Sequence, residues 1–304
     1  MRWQTADSAP EGLFEVGELF ADDYSTGRMS RLEFLPVLAH RVLNHLPNTP
    51  WAKWTINVYR GCSHSCLYCF ARPTHEYLGL NAGTDFDTKI VVKINAVDVL
   101  RRELARPSWP REKVAMGTNT DPYQRAEAKF KLTRGVIAAL IDAGTPFSIL
   151  TKSPLVTRDL DLIAPAAKHL DVSVQFSIAT VDDHAWRVSE PGTPHPQRRV
   201  DAMRAMVDAG VPTGALMAPI LPGLSDRRDQ IDATVAAIQS TGAEVTHAHP
   251  VYLRGATREH FMSWLREHDP DLHARYERGI DAHGDVSREY RAWLRDAVAR
   301  AKTR

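Results

Sequence analysis

Cysteine is scarce in this sequence, since 304 residues contain only three. Three thiols cannot all pair within one chain, so a framework of disulfide bonds is excluded as the basis of the fold. In a reducing compartment, a small group of cysteines more often binds a metal or takes part in catalysis. Where these three residues lie therefore decides much of what the sequence predicts about function.

Long hydrophobic runs and a surplus of either charge are also missing. The longest apolar stretch, GVIAALI at 135–141, is far shorter than a membrane-spanning helix, and the N-terminal stretch lacks the apolar core of a secretory signal. We therefore expect a cytoplasmic protein that does not associate with membranes. The formal net charge of +1, from 38 Lys and Arg against 37 Asp and Glu, argues against a protein that coats nucleic acid by charge alone.

Apolar, β-rich stretches alternate with stretches of helical periodicity from residue 53 onward. The predicted strands are 53–59, 113–120, 146–153, 171–180, 212–221 and 243–253, and the predicted helices between them are 96–106, 134–144, 157–170, 197–210 and 229–242. Several of the strands are continuous apolar runs, which favours burial on both faces of a parallel sheet. A complete eight-stranded barrel would need two more units. The sequence therefore predicts an α/β fold with a partial (β/α)6 TIM-type barrel.

Three segments follow from this pattern. Residues 1–50 form an N-terminal extension, residues 51–255 contain the barrel, and residues 256–304 read as amphipathic helices of mixed charge. Because an amphipathic helix buries its apolar stripe, we expect both terminal segments to pack on the barrel and cover it.

All three cysteines fall within eight positions, as Cys62, Cys66 and Cys69 in the stretch CSHSCLYC. This C-x3-C-x2-C spacing follows the first predicted strand, at the end of an α/β barrel where active sites lie. A structural zinc ion would need a fourth ligand, for which His64 and His75 are candidates. A [4Fe–4S] cluster held by three cysteines would keep one iron open to a substrate or cofactor.

The spacing, with the aromatic Tyr68 before the last cysteine, resembles the signature of the radical S-adenosylmethionine (SAM) superfamily. The resemblance implies a partial six-unit barrel and a [4Fe–4S] cluster held by Cys62, Cys66 and Cys69, with SAM on the open iron. It also implies reductive cleavage of SAM to a 5′-deoxyadenosyl radical that abstracts hydrogen from a substrate. An external electron donor of the flavodoxin or ferredoxin type would supply the electron.

Further residues that resemble the SAM site of this family lie mainly at the ends of the next predicted strands. The predicted cofactor residues are Tyr68, Thr120, Asp121, Lys152 and Ser177. By resemblance, Thr120 and Asp121 meet the amino group or ribose of SAM, Lys152 pairs with its carboxylate, Ser177 bonds the ribose, and Tyr68 packs near the adenine. Ordinary structural interpretations stay open for each: an Asp-Pro turn, a solvated lysine, a serine bonded to backbone, and a core aromatic.

A narrower resemblance covers roughly residues 51–255. CLYCFARPTHEYLG, GTNTDPYQ and LTKSPLVTRDLDLI resemble the DNA repair photolyase-like group, which is related to spore photoproduct lyase. That lyase has a cysteine where this chain has Asn119 and a tyrosine where it has Phe70, so lesion reversal by the lyase route is not expected. Tyr123 and Tyr77 are then the candidate hydrogen donors.

The leading hypothesis is thus a radical SAM enzyme that acts on an unidentified substrate, with a nucleic-acid base or a nucleotide as the candidate class. Arg198, Arg199 and Arg204 are candidate phosphate contacts, or else belong to a solvated helix face. The alternative is a non-catalytic zinc or iron–sulfur protein that senses redox state or binds nucleic acid. That alternative predicts no SAM binding.

Overall fold

The computed structural model describes residues 3–5 and 32–304; residues 1, 2 and 6–31 of the predicted N-terminal extension lie outside the described part of the chain. The strands are β1 (Trp3–Thr5), β2 (Glu33–Ala39), β3 (Leu43–His45), β4 (Trp54–Ile56), β5 (Tyr59–Arg60), β6 (Lys89–Lys93), β7 (Val114–Met116), β8 (Phe147–Thr151), β9 (Val172–Ser177), β10 (Thr213–Ile220) and β11 (Glu244–Pro250). The helices are α1 (Thr84–Thr88), α2 (Ala96–Leu104), α3 (Arg125–Phe130), α4 (Leu132–Asp142), α5 (Leu160–Ala166), α6 (Asp183–Ser189), α7 (Pro196–Asp208), α8 (Arg228–Gln239), α9 (Gly255–His268), α10 (Pro270–Gly279) and α11 (Arg288–Lys302). Within this part of the chain, no helix has both the length and the apolar character that crossing a membrane requires.

Six parallel strands form the central sheet, and they follow one another in chain order. The spatial order is β11-β10-β9-β8-β7-β4-β3. The six strands β4, β7, β8, β9, β10 and β11 pair in parallel with their neighbours, and β3 pairs antiparallel with β4. Helices separate the successive parallel strands in sequence. Among the residues that the structure describes, this sheet does not close on itself, so the prediction of a partial six-unit barrel is confirmed. All six parallel strands present their C-terminal ends at the same edge.

The turns from helix to strand repeat the same local chemistry twice. α4 and α7 are each followed by a glycine in the left-handed conformation, Gly144 with φ +58° and Gly210 with φ +76°. The residue after each glycine donates its backbone N–H to the last turn of the helix, from Thr145 to Leu140 and from Val211 to Met206. The sequence DAG occurs at both helix ends, at 142–144 and 208–210, and it favours this arrangement because glycine adopts positive φ without strain.

Burial along the central strands differs from the sequence prediction. Buried and half-buried residues alternate along β8 and most of β9, whereas the sequence predicts burial on both faces for several strands; VSVQFS in β9 itself alternates apolar and polar residues. One face, which includes Phe147 and Phe176, is fully buried in the main hydrophobic core. The other face, which includes Gln175 and Ser177, lines the interior of the barrel. Because the barrel is open, that interior stays partly accessible, and the strands are not buried equally on both faces.

A second, smaller sheet of order β1-β2-β6-β5 was not predicted. β6 (KIVVK) pairs in parallel with β2 and antiparallel with β5. The predicted first strand, 53–59, is consequently two strands, because the chain leaves the central sheet after β4 and joins the small sheet at β5. This change of sheet directs the following residues, which carry the cysteines, across the end of the barrel.

The predicted C-terminal helices are present as α9, α10 and α11. The side chain of Ser287 accepts a hydrogen bond from the backbone N–H of Tyr290 and so caps α11. α11 packs against α8 and β11. α9 and α10 contribute Phe261, Leu265 and Tyr276 to a separate apolar cluster that also contains Cys66 and Tyr68. The C-terminal helices therefore support the loop that carries the cysteines.

Candidate active site

The cysteine loop follows β5 and is fixed by hydrogen bonds from three directions. The hydroxyl of Thr120 donates to the carbonyl of Gly61 at 2.6 Å, and Gln124 both donates to that carbonyl at 2.9 Å and accepts from the N–H of Ser63 at 3.0 Å. The hydroxyl of Thr257, on α9, donates to the carbonyl of Cys69 at 2.9 Å. The loop backbone is therefore held in place by protein groups alone.

Arg72 is a main support of this loop. It is completely buried, and its guanidinium donates to the carbonyl of Cys66 at 2.9 and 3.1 Å and forms an ion pair with Asp87 at 2.9 Å. His75 is also buried, with its Nε2 3.0 Å from the carbonyl of Lys89. Both residues thus brace the backbone around the cysteines. Of the two candidate zinc ligands, His75 does not line the cavity beside the cysteines, whereas His64 does.

An open cavity of about 340 Å³ lies between the cysteine loop and the C-terminal ends of the strands. Its wall includes all eight predicted cluster and cofactor residues: Cys62, Cys66, Tyr68, Cys69, Thr120, Asp121, Lys152 and Ser177. The structure therefore brings together side chains from four predicted strand ends that are up to 115 positions apart in the chain. Within residues 3–5 and 32–304, no group of three His, Cys, Asp or Glu side chains is placed to hold a single metal ion.

Asp121 connects the cysteine loop to β8. One carboxylate oxygen accepts from the hydroxyl of Thr151 at 2.7 Å and from the N–H of Tyr123 at 2.8 Å. The other oxygen accepts from the N–H of Lys152 at 2.7 Å and lies 3.4 Å from Nδ1 of His64. Burial alone would raise the pKa of Asp121, but His64 and these donors outweigh it and lower that pKa below its usual value.

A buried charge network surrounds Lys152. Its Nζ donates to the hydroxyl of Ser177 at 2.6 Å and to the carboxylate of Glu190 at 3.0 Å. Glu190 also accepts from the hydroxyl of Tyr68 and, at 2.6 Å, from Arg199. Burial by itself would raise the pKa of Glu190, but the charges of Arg199 and Lys152 hold that pKa well below its usual range. Glu190 is thus an ionised carboxylate that orients the lysine, the tyrosine and the arginine together.

The thiols of Cys66 and Cys69 carry raised pKa values in this environment. Burial, aided by Glu190, raises the pKa of the Cys66 thiol well above its ordinary value. Burial and the neighbouring Cys62 raise the pKa of Cys69 to about 11. Because a metal binds the thiolate form, metal binding at this loop must release the protons of these thiols.

Neither candidate hydrogen donor lies at the cavity. Tyr123 is buried in the core, where its hydroxyl donates to Asp159 at 3.0 Å. Tyr77 lies on the exterior of the 3-10 helix Arg72–Leu78 and is 85% exposed. The tyrosines that line the cavity are Tyr68 and Tyr252. Phe70 and Asn119, the positions at which this chain differs from the lyase, also line it.

Two residues that sequence reasoning missed contribute to this site. Glu190 follows α6 and lies far from any predicted strand end, so nothing in its local sequence marks it as a partner of Lys152. Tyr252 follows β11 by two residues, and that position could have indicated it.

The prediction for Arg199 as a phosphate contact is wrong, as is the alternative of a solvated helix face. Arg199 is 1% exposed and bonds Glu190 and the carbonyl of Ser177.

The cavity wall also depends on a glycine. Gly117 ends the strand region of β7 with φ +92°, and a Cβ at this position would lie 2.0 Å from the carbonyl oxygen of Leu150. Gly117→Ala is expected to lower the free energy of unfolding by about 2–4 kcal/mol, because it adds backbone strain and a clash with β8. Urea denaturation measures this loss.

The matched control for that substitution is Gly144→Ala. Gly144 also has positive φ, but a Cβ there would meet nothing within 4 Å. Gly144→Ala should therefore lower the free energy of unfolding only by the cost of placing alanine at positive φ, about 1–2 kcal/mol. Equal losses in the two variants would contradict the proposed clash at Gly117.

Comparison with known proteins gives one consistent result. The family model described as Radical SAM superfamily matches residues 56–238. An uncharacterized protein of Mycobacterium tuberculosis is 46% identical over 296 residues, which cover 96% of this chain and 86% of that protein. An uncharacterized protein of Methanocaldococcus jannaschii is 32% identical over 65% of this chain and 71% of that protein.

Solved structures of spore photoproduct lyase share the fold. One mutant matches with a TM-score of 0.64 and 20% identity over 90% of this chain and 80% of that one. Another, with bound AdoMet and dinucleoside spore photoproduct, matches with a TM-score of 0.61 and 18% identity over 85% and 75% of the two chains. The family match over more than half of the chain, with three cysteines converging on one cavity, shows that this protein belongs to the radical SAM superfamily, whose enzymes use a [4Fe–4S] cluster and SAM.

Proposed function

We propose that this protein binds a [4Fe–4S] cluster on Cys62, Cys66 and Cys69, cleaves SAM reductively, and abstracts hydrogen from a nucleic-acid base or a nucleotide. When bound, the reduced cluster and SAM supply a 5′-deoxyadenosyl radical, and the protein positions it and excludes water. The observation that carries the proposal is the convergence of three thiols and the polar ends of the next strands on one cavity.

The donor set fits the cluster. Three thiols on one loop are the ligands of a cubane with one open iron, and thiolate sulfur is the donor that iron–sulfur clusters take from proteins. The loop is braced through its carbonyl groups by Arg72, Thr120 and Thr257, and these bonds do not engage the sulfur atoms. The thiols therefore remain available to a metal without any loss of the bonds that shape the loop.

Lys152 supports the binding of the SAM carboxylate. Its ammonium group lies in the cavity wall at 13% side-chain exposure, and Glu190 and the hydroxyl of Ser177 fix its position. A fixed positive charge at that depth can pair with a carboxylate at little cost in side-chain entropy. Tyr68 and Ser177 contact the same lysine, so the three residues form one side of the proposed SAM site.

Thr120 and Asp121 support the same site in a different way. Their side-chain oxygens already bond to Gly61, Thr151 and Lys152. We therefore assign them to holding the cysteine loop and Lys152 beside the cofactor, which places them close to SAM without requiring a direct bond to it.

The substrate class is suggested by two features. The fold matches that of a spore photoproduct lyase mutant with bound AdoMet and dinucleoside spore photoproduct. In this chain the candidate cavity is lined by two exposed aromatic side chains, Phe70 and Tyr252, and aromatic rings stack on bases of any sequence. A low-potential external reductant of the flavodoxin or ferredoxin class completes the proposal.

Anaerobic reconstitution with iron and sulfide, followed by dithionite and SAM, tests this function. We expect release of 5′-deoxyadenosine that depends on dithionite and is absent when S-adenosylhomocysteine, which lacks the sulfonium, replaces SAM. Stoichiometric zinc with no release of 5′-deoxyadenosine would overturn the proposal and favour a non-catalytic sensor or nucleic-acid-binding protein.

A further inference from the structure

Two exposed aromatic side chains border the cavity from opposite ends of the sheet. Phe70 follows the last cysteine on the loop after β4 and β5 and is 68% exposed, and Tyr252 follows β11 and is 40% exposed. Both line the cavity, whereas its cysteines are buried or half-buried. The two aromatics therefore lie at the mouth of the cavity and the thiols at its floor.

The open form of the barrel explains this arrangement. β4 and β11 are the first and last of the six parallel strands, and they do not pair with each other. The segments after them flank the opening in the barrel wall. A hydrogen bond of 2.9 Å from the hydroxyl of Thr257 to the carbonyl of Cys69 joins the two segments, so both aromatics belong to one rim.

A positive charge lies beside this pair. The guanidinium of Arg254 stacks over the ring of Tyr252, 4.7 Å from its centroid, and donates to the carbonyl of His283. Within the described part of the chain, no carboxylate forms an ion pair with Arg254. Arginine has five N–H donors, so a guanidinium that stacks on a ring and bonds one carbonyl still has donors for a phosphate.

We propose that Phe70, Tyr252 and Arg254, together the aromatic mouth, bind an unpaired base of a single-stranded nucleic acid and an adjacent phosphate. The base packs against the two rings and enters the cavity, and Arg254 meets the backbone. An unpaired base is required because a base inside a duplex has its faces covered by its neighbours. This inference rests on the proposed function and names its substrate class and the residues that select it.

Binding of fluorescent oligonucleotides, measured by anisotropy at one fixed salt concentration, tests the aromatic mouth. The probes are an oligo(dT) of about ten nucleotides, within the usual range for single-strand sites, and an abasic oligomer of equal length. Stacking on aromatic rings contributes about 1–3 kcal/mol per base, a factor of roughly 5 to 150 in affinity. We expect the wild-type protein to prefer oligo(dT) by at least about tenfold.

The variants separate stacking from charge. Phe70→Ala and Tyr252→Ala should each reduce the preference for oligo(dT) about fivefold or more, and the double variant should remove it, while Phe70→Tyr should retain it. Arg254→Ala should lower the affinity for both oligonucleotides equally, because both carry phosphates. Trp51→Ala is the matched control: Trp51 is 58% exposed but does not line the cavity, so the preference should not change.

Two results would overturn the inference. One is equal affinity of the wild-type protein for the two probes, and the other is an unchanged preference in the Phe70→Ala Tyr252→Ala variant. Cleavage of SAM in the absence of nucleic acid, measured on the same preparations, distinguishes this failure from failure of the proposed function. Cleavage that persists without any base preference refutes the aromatic mouth alone, whereas absent cleavage in the wild-type protein refutes the proposed function.

Discussion

Replacing Cys66 with alanine is expected to abolish both the iron–sulfur cluster and the release of 5′-deoxyadenosine. A cluster that depends on three thiolates from one loop loses a corner when one sulfur is removed, and no other cysteine exists in the chain to replace it. The backbone of the loop should stay in place, because Arg72 holds the carbonyl of residue 66 and not its side chain. The measurements are iron and sulfide content after anaerobic reconstitution and 5′-deoxyadenosine by chromatography.

Ser65→Gly is a control in the same loop. Ser65 has φ +52°, a conformation that glycine adopts freely, and its side chain contributes only a long hydrogen bond to the carbonyl of Ser63. This variant should keep its iron content and its SAM cleavage. A cluster that persists in Cys66→Ala would contradict the assignment of the ligands.

Glu190→Gln is expected to destabilise the metal-free protein by about 3–5 kcal/mol, because it removes the carboxylate that pairs with the buried Arg199 and the half-buried Lys152. Glu190 is 3% exposed and Arg199 is 1% exposed, so water cannot replace the lost carboxylate charge. Urea denaturation at neutral pH measures the effect. Asp229→Asn is the control, because Asp229 pairs with Arg227 on the surface and its loss should change the free energy of unfolding little. Equal effects of the two substitutions would contradict the role of Glu190.

The same carboxylate predicts a dependence on pH. The folded protein holds the pKa of Glu190 below its unfolded value, so its contribution to stability is fully present above the unfolded pKa and is lost as the pH falls through the folded pKa. The stability difference between the wild-type protein and Glu190→Gln should therefore shrink once the pH drops below about 4.3, the ordinary pKa of glutamate. A difference that stays constant into the acid range would contradict this linkage.

The barrel could be predicted from the sequence because its signals are local. The turns at Gly144 and Gly210 and the alternating strand and helix patterns each depend on a few neighbouring residues. The small sheet escaped prediction because β6 is a short run next to a loop, and its partners β2 and β5 come from distant parts of the chain. Its effect, the division of the strand predicted at 53–59, depends on that pairing and not on local propensity.

In the candidate site, too, some residues could be predicted from local sequence signals and others could not. Residues at strand ends, such as Lys152 and Ser177, could be found because parallel strands present their C-terminal ends at one edge. Glu190 and the internal role of Arg199 depend on where α6 and α7 pack, which no local pattern indicates. Residue type and the adjoining motifs make Tyr123 and Tyr77 candidate hydrogen donors, and only the structure shows that Tyr123 is in the core and Tyr77 outside the cavity.

The central claim is that three cysteines hold a cluster whose fourth iron is open to SAM. Electron paramagnetic resonance of the dithionite-reduced, reconstituted protein tests it directly, because a ligand on the cluster changes the spectrum of the cluster. We predict a [4Fe–4S] signal that changes when SAM is added. An equal amount of adenosine, which lacks the methionine part of SAM, should leave the signal unchanged. A signal that does not respond to SAM, or a metal with four protein ligands, would contradict the account.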